Sequence, residues 1–285
     1  MTTVYLNGEF VARDRAVISV DDRGFTFGDG IYEGVRAIGG RLFEWEAHAA
    51  RMISSLDGLS IAFSADRVAG LRGVCEQLIR ENGLVDGEAF LYLAVTRGAA
   101  PRTHHFPPPG TPPTVFVSAT GFAPNRELRQ AGCAAITFAD LRWGRCDLKT
   151  LNTLGSVLAR QAATEAGAYE AILLLDGIVT EASASTAFAV VDGVLRTHPL
   201  TRRILPSVTR KVVLECAHEL QIAVQETAVT ESELRRAEEI AVCGSRTDML
   251  SVVTLDGAPV GGGEPGPISR RLAAALDARV YAAAR

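Results

Sequence analysis

Two lysines stand out in this chain because almost every other basic residue is arginine. Of 29 basic side chains, 27 are arginine and two are lysine, Lys149 and Lys211. Lys149 lies in Arg-Cys-Asp-Leu-Lys-Thr-Leu-Asn, residues 145–152. Arginine stays protonated and cannot act as a nucleophilic amine. Lysine can lose its proton when desolvated or set near positive charge, and can then form a Schiff base with a carbonyl. Chance survival is the competing explanation for either lysine. For Lys211, one turn into a candidate helix, a solvated side chain is the better reading.

A lysine that serves an aldehyde cofactor needs two further parts. One is an acid facing the ring nitrogen; the other is a phosphate cup of hydroxyls and backbone N–H groups. The chain offers both in order. Glu181 follows an apolar run, Ile172 to Leu175, and its turn. Leu205-Pro206-Ser207-Val208-Thr209-Arg210 opens a candidate helix whose first N–H groups and Thr209 hydroxyl suit a phosphate. Gly244-Ser245-Arg246-Thr247 is a second hydroxyl-bearing loop. Taken singly, a Ser/Thr-rich helix start is equally the mark of a simple cap.

The elements that must position these residues read as α+β. Asn7-Gly8 between Val4–Leu6 and Glu9–Val11 is a hairpin signal, because Asn-Gly accepts the positive φ of a type I′ turn. Gly39-Gly40 repeats it between 35–38 and 41–43. Apolar residues at 68, 71, 74, 75, 78 and 79 have helical spacing, with Ser64 as N-cap and Asn82-Gly83 as the stop. Strands are expected at 90–96 and 115–119. The proline-rich segment 107–113 can be neither helix nor strand. Asp176-Gly177, Asp192-Gly193 and Asp256-Gly257 predict three more hairpin turns. Helices are expected at 153–166, 207–219 and 267–283. The absence of regular strand–helix alternation argues against a doubly wound sheet. The expected organisation is a small domain over 1–122, a linker at 123–127 and a larger cofactor-binding domain over 128–285.

Composition excludes several classes of function. The chain has 285 residues, 47% hydrophobic and 22% charged, with a net charge of −4. There is no basic run for nucleic acid, and the longest apolar runs are strand-sized, short of a membrane span. Five cysteines, odd in number and without Cys-x-x-Cys, suggest reduced thiols in a cytoplasmic protein and no structural metal site. The first residues lack the charged and apolar regions of a signal peptide.

The motifs also carry a resemblance. Arg23-Gly24-Phe25-Thr26-Phe27-Gly28-Asp29-Gly30-Ile31-Tyr32-Glu33 and Glu46-Ala47-His48-Ala49-Ala50-Arg51-Met52 are similar to the N-terminal signature of the class IV aminotransferases, the fold-type IV pyridoxal phosphate enzymes. The likeness continues at Lys149-Thr150-Leu151-Asn152, Val179–Ser183, Ile204–Arg210 and Pro265-Gly266-Pro267, and so spans nearly the whole chain. It implies a small N-terminal α/β domain and a larger, β-barrel-like C-terminal α+β domain. Its cofactor would be pyridoxal 5'-phosphate. The resemblance makes Lys149 the Schiff-base lysine and the proton carrier, and pairs Glu181 with the pyridine nitrogen. It gives the phosphate to Arg51, Val208, Thr209 and Ser245. Arg142 and Tyr169 would lie near the cofactor. Without the resemblance, Arg51 reads as a surface arginine on a helix.

One stretch points to a subfamily. Arg97-Gly98-Ala99-Ala100-Pro101-Arg102-Thr103-His104-His105-Phe106-Pro107 resembles the D-amino acid aminotransferase loop. There an Arg-x-His pair from the neighbouring subunit joins a tyrosine to hold the substrate carboxylate. Arg102, His104 and Tyr32 match those positions, and arginine gives a planar donor pair for a carboxylate. Asp140–Lys149 and Gly167–Leu173 resemble the same subfamily. The resemblance therefore implies a homodimer with a shared site that moves amino groups between D-amino acids and 2-oxo acids. Aminodeoxychorismate lyase, branched-chain L-amino acid transaminase and (R)-amine transaminase are the alternatives on this fold. Two departures stand. Ala182-Ser183-Ala184-Ser185 replaces glycine followed by serines. Arg246 replaces a small hydroxyl residue, where it would either grip a second substrate carboxylate or point to solvent.

Overall fold

The computed structural model describes residues 2–282. They form two compact units. The first holds residues 2–123 and 148–152; the second holds 124–147 and 153–282. The segment carrying Lys149 thus belongs to the first unit, whereas a simple boundary near 123–127 assigns it to the C-terminal one. The expected linker also runs into a helix, α4 (Arg126–Ala131), capped by Asn125.

The first unit is a six-stranded sheet. Its strands are β1 (Thr3–Leu6), β2 (Glu9–Ala12), β3 (Gly30–Ile38), β4 (Arg41–Leu42), β5 (Glu88–Thr96) and β6 (Val115–Gly121), in the order β2-β1-β6-β5-β3-β4. Every pairing is antiparallel. Asn7 and Gly8 both take positive φ (52° and 105°), as the expected turn requires. Helices α2 (Trp45–Gly58) and α3 (Ala65–Glu81) supply the apolar side chains that pack with the sheet; Met52, Leu56, Leu71 and Leu78 join Ile31, Val35 and Leu91 in one core. Ser64 caps α3 by accepting from the Arg67 N–H. A short helix that periodicity does not reveal, α1 (Arg23–Phe27), is capped by Asp22.

The second unit is a nine-stranded, curled half-barrel sheet of mixed pairing. Its strands are β7 (Cys133–Ala139), β8 (Glu170–Leu175), β9 (Ile178–Ala182), β10 (Thr186–Val191), β11 (Val194–Arg196), β12 (Val224–Gln225), β13 (Glu239–Gly244), β14 (Asp248–Leu255) and β15 (Ala258–Pro259). Strand β7 runs parallel to both neighbours, β8 and β14. The three Asp-Gly turns close their hairpins with positive φ at both residues. Helices α5 (Leu154–Glu165), α6 (Val208–Glu219), α7 (Glu231–Arg235) and α8 (Pro267–Ala282) complete the unit. The expected end of the last helix at 283 lies outside the described residues. Among those described, no helix is long and apolar enough to cross a membrane, and no group of three or more His, Cys, Asp or Glu could hold a metal ion.

Candidate active site

The first unit places Lys149 by backbone pairing. Its carbonyl accepts from the Tyr32 N–H at 2.9 Å, and the Leu151 N–H donates to the Gly30 carbonyl at 2.9 Å. These bonds lay residues 149–151 along β3, with a bridge between Ile31 and Thr150. The Lys149 N–H donates to Ser55 Oγ on α2 at 3.1 Å. Residue 58 is glycine, and the end of the Leu148 side chain lies 2.5 Å from where its Cβ would be. The lysine side chain then reaches over Tyr32, with Nζ 4.2 Å from the ring centroid.

Arg51, on α2 beside this segment, is buried and not a surface residue. Glu33, on β3 next to Tyr32, is fully buried. Arg51 donates through Nε to Oε1 and through Nη2 to Oε2 of Glu33, both at 2.7 Å. His48 Nδ1 lies 2.8 Å from Glu33 Oε2. Burial alone would raise the Glu33 carboxyl, but the charge and hydrogen bonds of Arg51, with that of His48, outweigh it and bring its pKa down to about 2. Burial dominates for His48 and lowers its pKa, despite Glu33. An ionised carboxylate can only accept, so His48 donates to it from Nδ1. Sequence reasoning missed Glu33 and His48. The signal was present: Glu33 interrupts the alternating apolar face of Ile31, Val35 and Ala37, and His48 precedes Arg51 and Met52 on the buried face of α2.

The second unit builds a different cluster. Glu181 lies at the end of β9, buried, and accepts from Arg142 Nη1. Arg142 also forks onto Asp140, through Nε at 2.9 Å and Nη2 at 2.8 Å, and donates to the Arg203 carbonyl at 3.0 Å. Thr180 Oγ1 donates to Asp140 at 2.7 Å. Burial opposes ionisation of Asp140, but its bonds to Arg142 prevail and lower its pKa. Burial likewise disfavours the charged Arg142, and the two carboxylates more than offset it, so its pKa rises. After Glu181 the chain turns through Ser183 and Ser185, whose hydroxyls both donate to the fully buried Glu170. The serines that remain in the Ala-Ser-Ala-Ser departure therefore fix this turn. Tyr169 packs with the barrel core, with the Arg160 guanidinium over its ring at 4.4 Å.

Two further groups in this unit are hydroxyl-bearing. Ser207 caps α6 by accepting from the Arg210 N–H at 3.1 Å, and the buried Val208 and Thr209 form its first turn. Ser245 and Arg246 lie in the three-residue turn joining β13 to β14; Ser245 is half-buried and Arg246 is exposed. Lys211 is exposed and lies 3.7 Å from Glu215 one turn on, as a solvated side chain does.

The structure thus gathers Lys149, Tyr32 and Arg51 in one unit, and Glu181 and Arg142 in the other. Arg102 and His104 lie on the exposed loop between β5 and β6, where both pack on Phe27.

Residues 30–255 match the family model described as amino-transferase class IV. The chain belongs to the class IV aminotransferases. This aminotransferase is 40% identical over 275 residues to a D-alanine aminotransferase of Staphylococcus epidermidis, covering 95% of each chain. It is 38% identical over 276 residues to that of Bacillus licheniformis, covering 96% of this chain and 95% of the relative. Its fold, that of the fold-type IV enzymes, superposes on the branched-chain amino acid aminotransferase of Escherichia coli with a TM-score of 0.87 at 27% identity, covering 95% and 91% of the two chains. A second branched-chain amino acid aminotransferase, complexed with N-(5'-phosphopyridoxyl)-L-glutamate, gives 0.87 at 28% identity, covering 98% and 94%.

Proposed function

We propose that the enzyme is a pyridoxal phosphate-dependent D-amino acid transaminase, exchanging amino groups between D-amino acids of the alanine and glutamate type and 2-oxo acids. The observation that carries the reading is the Lys149 amine, pinned by its backbone to β3 and facing Tyr32, beside a buried guanidinium on α2. Near-complete coverage of the D-alanine aminotransferases supports the choice of D-amino acids.

The residues of each unit fit one part of the cofactor. In the first, Lys149 supplies the amine for the carbonyl and Arg51 a buried cation for the phosphate. In the second, Glu181 supplies a buried carboxylate for the ring nitrogen, and Val208, Thr209 and Ser245 supply N–H and hydroxyl donors for the phosphate. When bound, pyridoxal phosphate supplies an electron sink for the charge left at the substrate α-carbon. The chain's own residues do the rest. Lys149 Nζ takes the α-proton and returns it on the other side of the exchange. Arg142 balances the charge of Glu181, so that the carboxylate can accept from a protonated ring nitrogen. Arg102, His104 and Tyr32 bind the substrate carboxylate, the loop pair serving the site of a second copy in a homodimer. Arg246 would hold the distal carboxylate of glutamate or 2-oxoglutarate. Five buried cysteines without disulfides suit a reducing compartment, the cytoplasm.

The test is to give the cofactor-loaded enzyme D-alanine or L-alanine with 2-oxoglutarate and to follow pyruvate. Pyruvate from D-alanine alone is expected. Pyruvate from L-alanine alone would overturn the reading in favour of branched-chain-type transamination. Release of pyruvate from a chorismate-derived amine without any 2-oxo acid acceptor would mark a lyase.

A further inference from the structure

The loop between β5 and β6, which carries Arg102 and His104, is held at its base by backbone bonds. The Arg23 N–H donates to the Gly98 carbonyl at 2.9 Å, and the Ala100 N–H donates to the Asp21 carbonyl at 3.2 Å. Beyond that base, the loop is held by charge. Asp29, just after α1, accepts from two guanidinium groups. Arg97 forks onto it through Nε at 2.8 Å and Nη2 at 2.9 Å, and Arg23 donates through Nε at 2.8 Å. Arg97 also donates to the Ser60 and Leu59 carbonyls and stacks over Phe106 at 3.7 Å. Arg23 uses Nη1 differently: it donates to the Thr103 carbonyl at 2.8 Å.

Thr103 is the residue between Arg102 and His104. Fixing its carbonyl therefore fixes the peptide from which His104 departs and the direction in which Arg102 leaves. Phe27 completes the arrangement. The Arg23 and Arg102 guanidinium carbons lie 4.7 and 4.9 Å from its ring centroid, and the His104 ring lies 5.7 Å away. A cleft of about 340 Å³ opens alongside, bordered by Arg23, Phe27, Asp29, Arg97, His104 and Phe106. Arg23 is only 4% exposed, so water does not compete strongly for these bonds. Lysine could not copy it: a single ammonium lacks the planar fork that reaches a carboxylate and a carbonyl from two different nitrogens.

We propose that Arg23, anchored on Asp29 and seated against Phe27, is a positioning residue for recognition of the substrate carboxylate, acting through the Thr103 peptide on Arg102 and His104. The inference rests on the reading of Arg102 and His104 as carboxylate ligands, and its test separates the two.

The experiment compares the holoenzyme with its Arg23→Gln, Arg102→Gln and double variants. It measures KM and kcat for D-alanine, and calorimetric affinity for propionate, a carboxylate that cannot react. Arg23→Gln is expected to raise KM and weaken propionate binding about tenfold, as loss of one charge-assisted bond would, with a much smaller change in kcat. The double variant is expected to lose less than the product of the two single losses, because Arg23 acts only through the loop that carries Arg102 and His104. Wild-type KM and propionate affinity in Arg23→Gln, with Arg102→Gln impaired, overturn the proposal and leave the carboxylate reading standing. So do losses that multiply in the double variant. Unchanged KM in Arg102→Gln removes the carboxylate reading and the proposal with it. Should Arg23→Gln not fold, Arg23→Lys keeps the charge beside Asp29 but loses the fork that also reaches the Thr103 carbonyl: a raised KM supports the proposal and a wild-type KM overturns it.

Discussion

Arg51 and Glu33 meet through two parallel hydrogen bonds of 2.7 Å in the interior of the first unit. The geometry is the planar fork that only arginine offers a carboxylate. It orients the guanidinium from behind, so the residue assigned to the phosphate does not depend on the ligand for its direction. Glu33→Gln would remove the carboxylate charge onto which the buried Arg51 forks. The expected cost is about 3–5 kcal/mol of stability, read as a lower urea midpoint, together with weaker retention of pyridoxal phosphate in equilibrium dialysis. An unchanged midpoint would show that the fork does not contribute.

The same cluster makes stability depend on pH. Glu33 falls from an ordinary 4.5 to about 2 on folding. A depressed carboxyl contributes stability that is present above 4.5 and lost as the pH falls toward 2. The full contribution is about 3 kcal/mol, from the gap of roughly two and a half pH units. His48 adds a loss that begins at higher pH. Its folded pKa lies below 6.5, so below that pH the unfolded chain takes up a proton that the folded chain refuses. Urea unfolding at pH 7, 5.5, 4 and 3 should show stability declining as the pH falls below 6.5 and declining further below 4.5. A flat profile down to pH 3 would contradict both assignments.

Lys149→Ala should abolish transamination. A loss of more than about a thousandfold is expected when the residue that moves the proton is removed. Lys149→Arg should be as inactive, since arginine keeps its proton. Stopped assays with D-alanine and 2-oxoglutarate decide this, and retained turnover in either variant would remove Lys149 from the chemistry.

Arg142 bridges two carboxylates, Asp140 and Glu181. Arg142→Met is expected to destabilise the protein by about 3 kcal/mol or more and to lower kcat more than it raises KM. Thermal unfolding and steady-state kinetics together check it. Stability preserved with normal kcat would mean that water or a neighbouring cation replaces the guanidinium.

Arg246 stands where the resemblance predicts a small hydroxyl residue. Arg246→Thr should raise KM for 2-oxoglutarate about tenfold while leaving KM for pyruvate nearly unchanged, the loss expected of one charge-assisted bond to a distal carboxylate. Equal effects on the two acceptors would show that the arginine does not distinguish them.

Much of the molecule could be read from local sequence alone. Asn7-Gly8 and the three Asp-Gly turns form as read, because a positive φ at two successive residues is a property of the residues themselves. Ser64 and Ser207 cap their helices for the same local reason. The scarcity of lysine singled out Lys149, and joint motifs supplied the family.

The pairings that decide the site were settled only by the tertiary structure. Glu33 and Arg51 are 18 residues apart, Arg142 and Glu181 are 39 apart, and Arg23 and Thr103 are 80 apart. No periodicity of 2 or 3.6 residues encodes such distances. A buried charge is tolerated only where the fold brings its partner, so its position in the sequence reads as an interruption of a pattern and not as a bond. The same holds for the placement of Lys149. Its own residues 148–152 would pair with many strands, and only the assembled first unit lays them along β3.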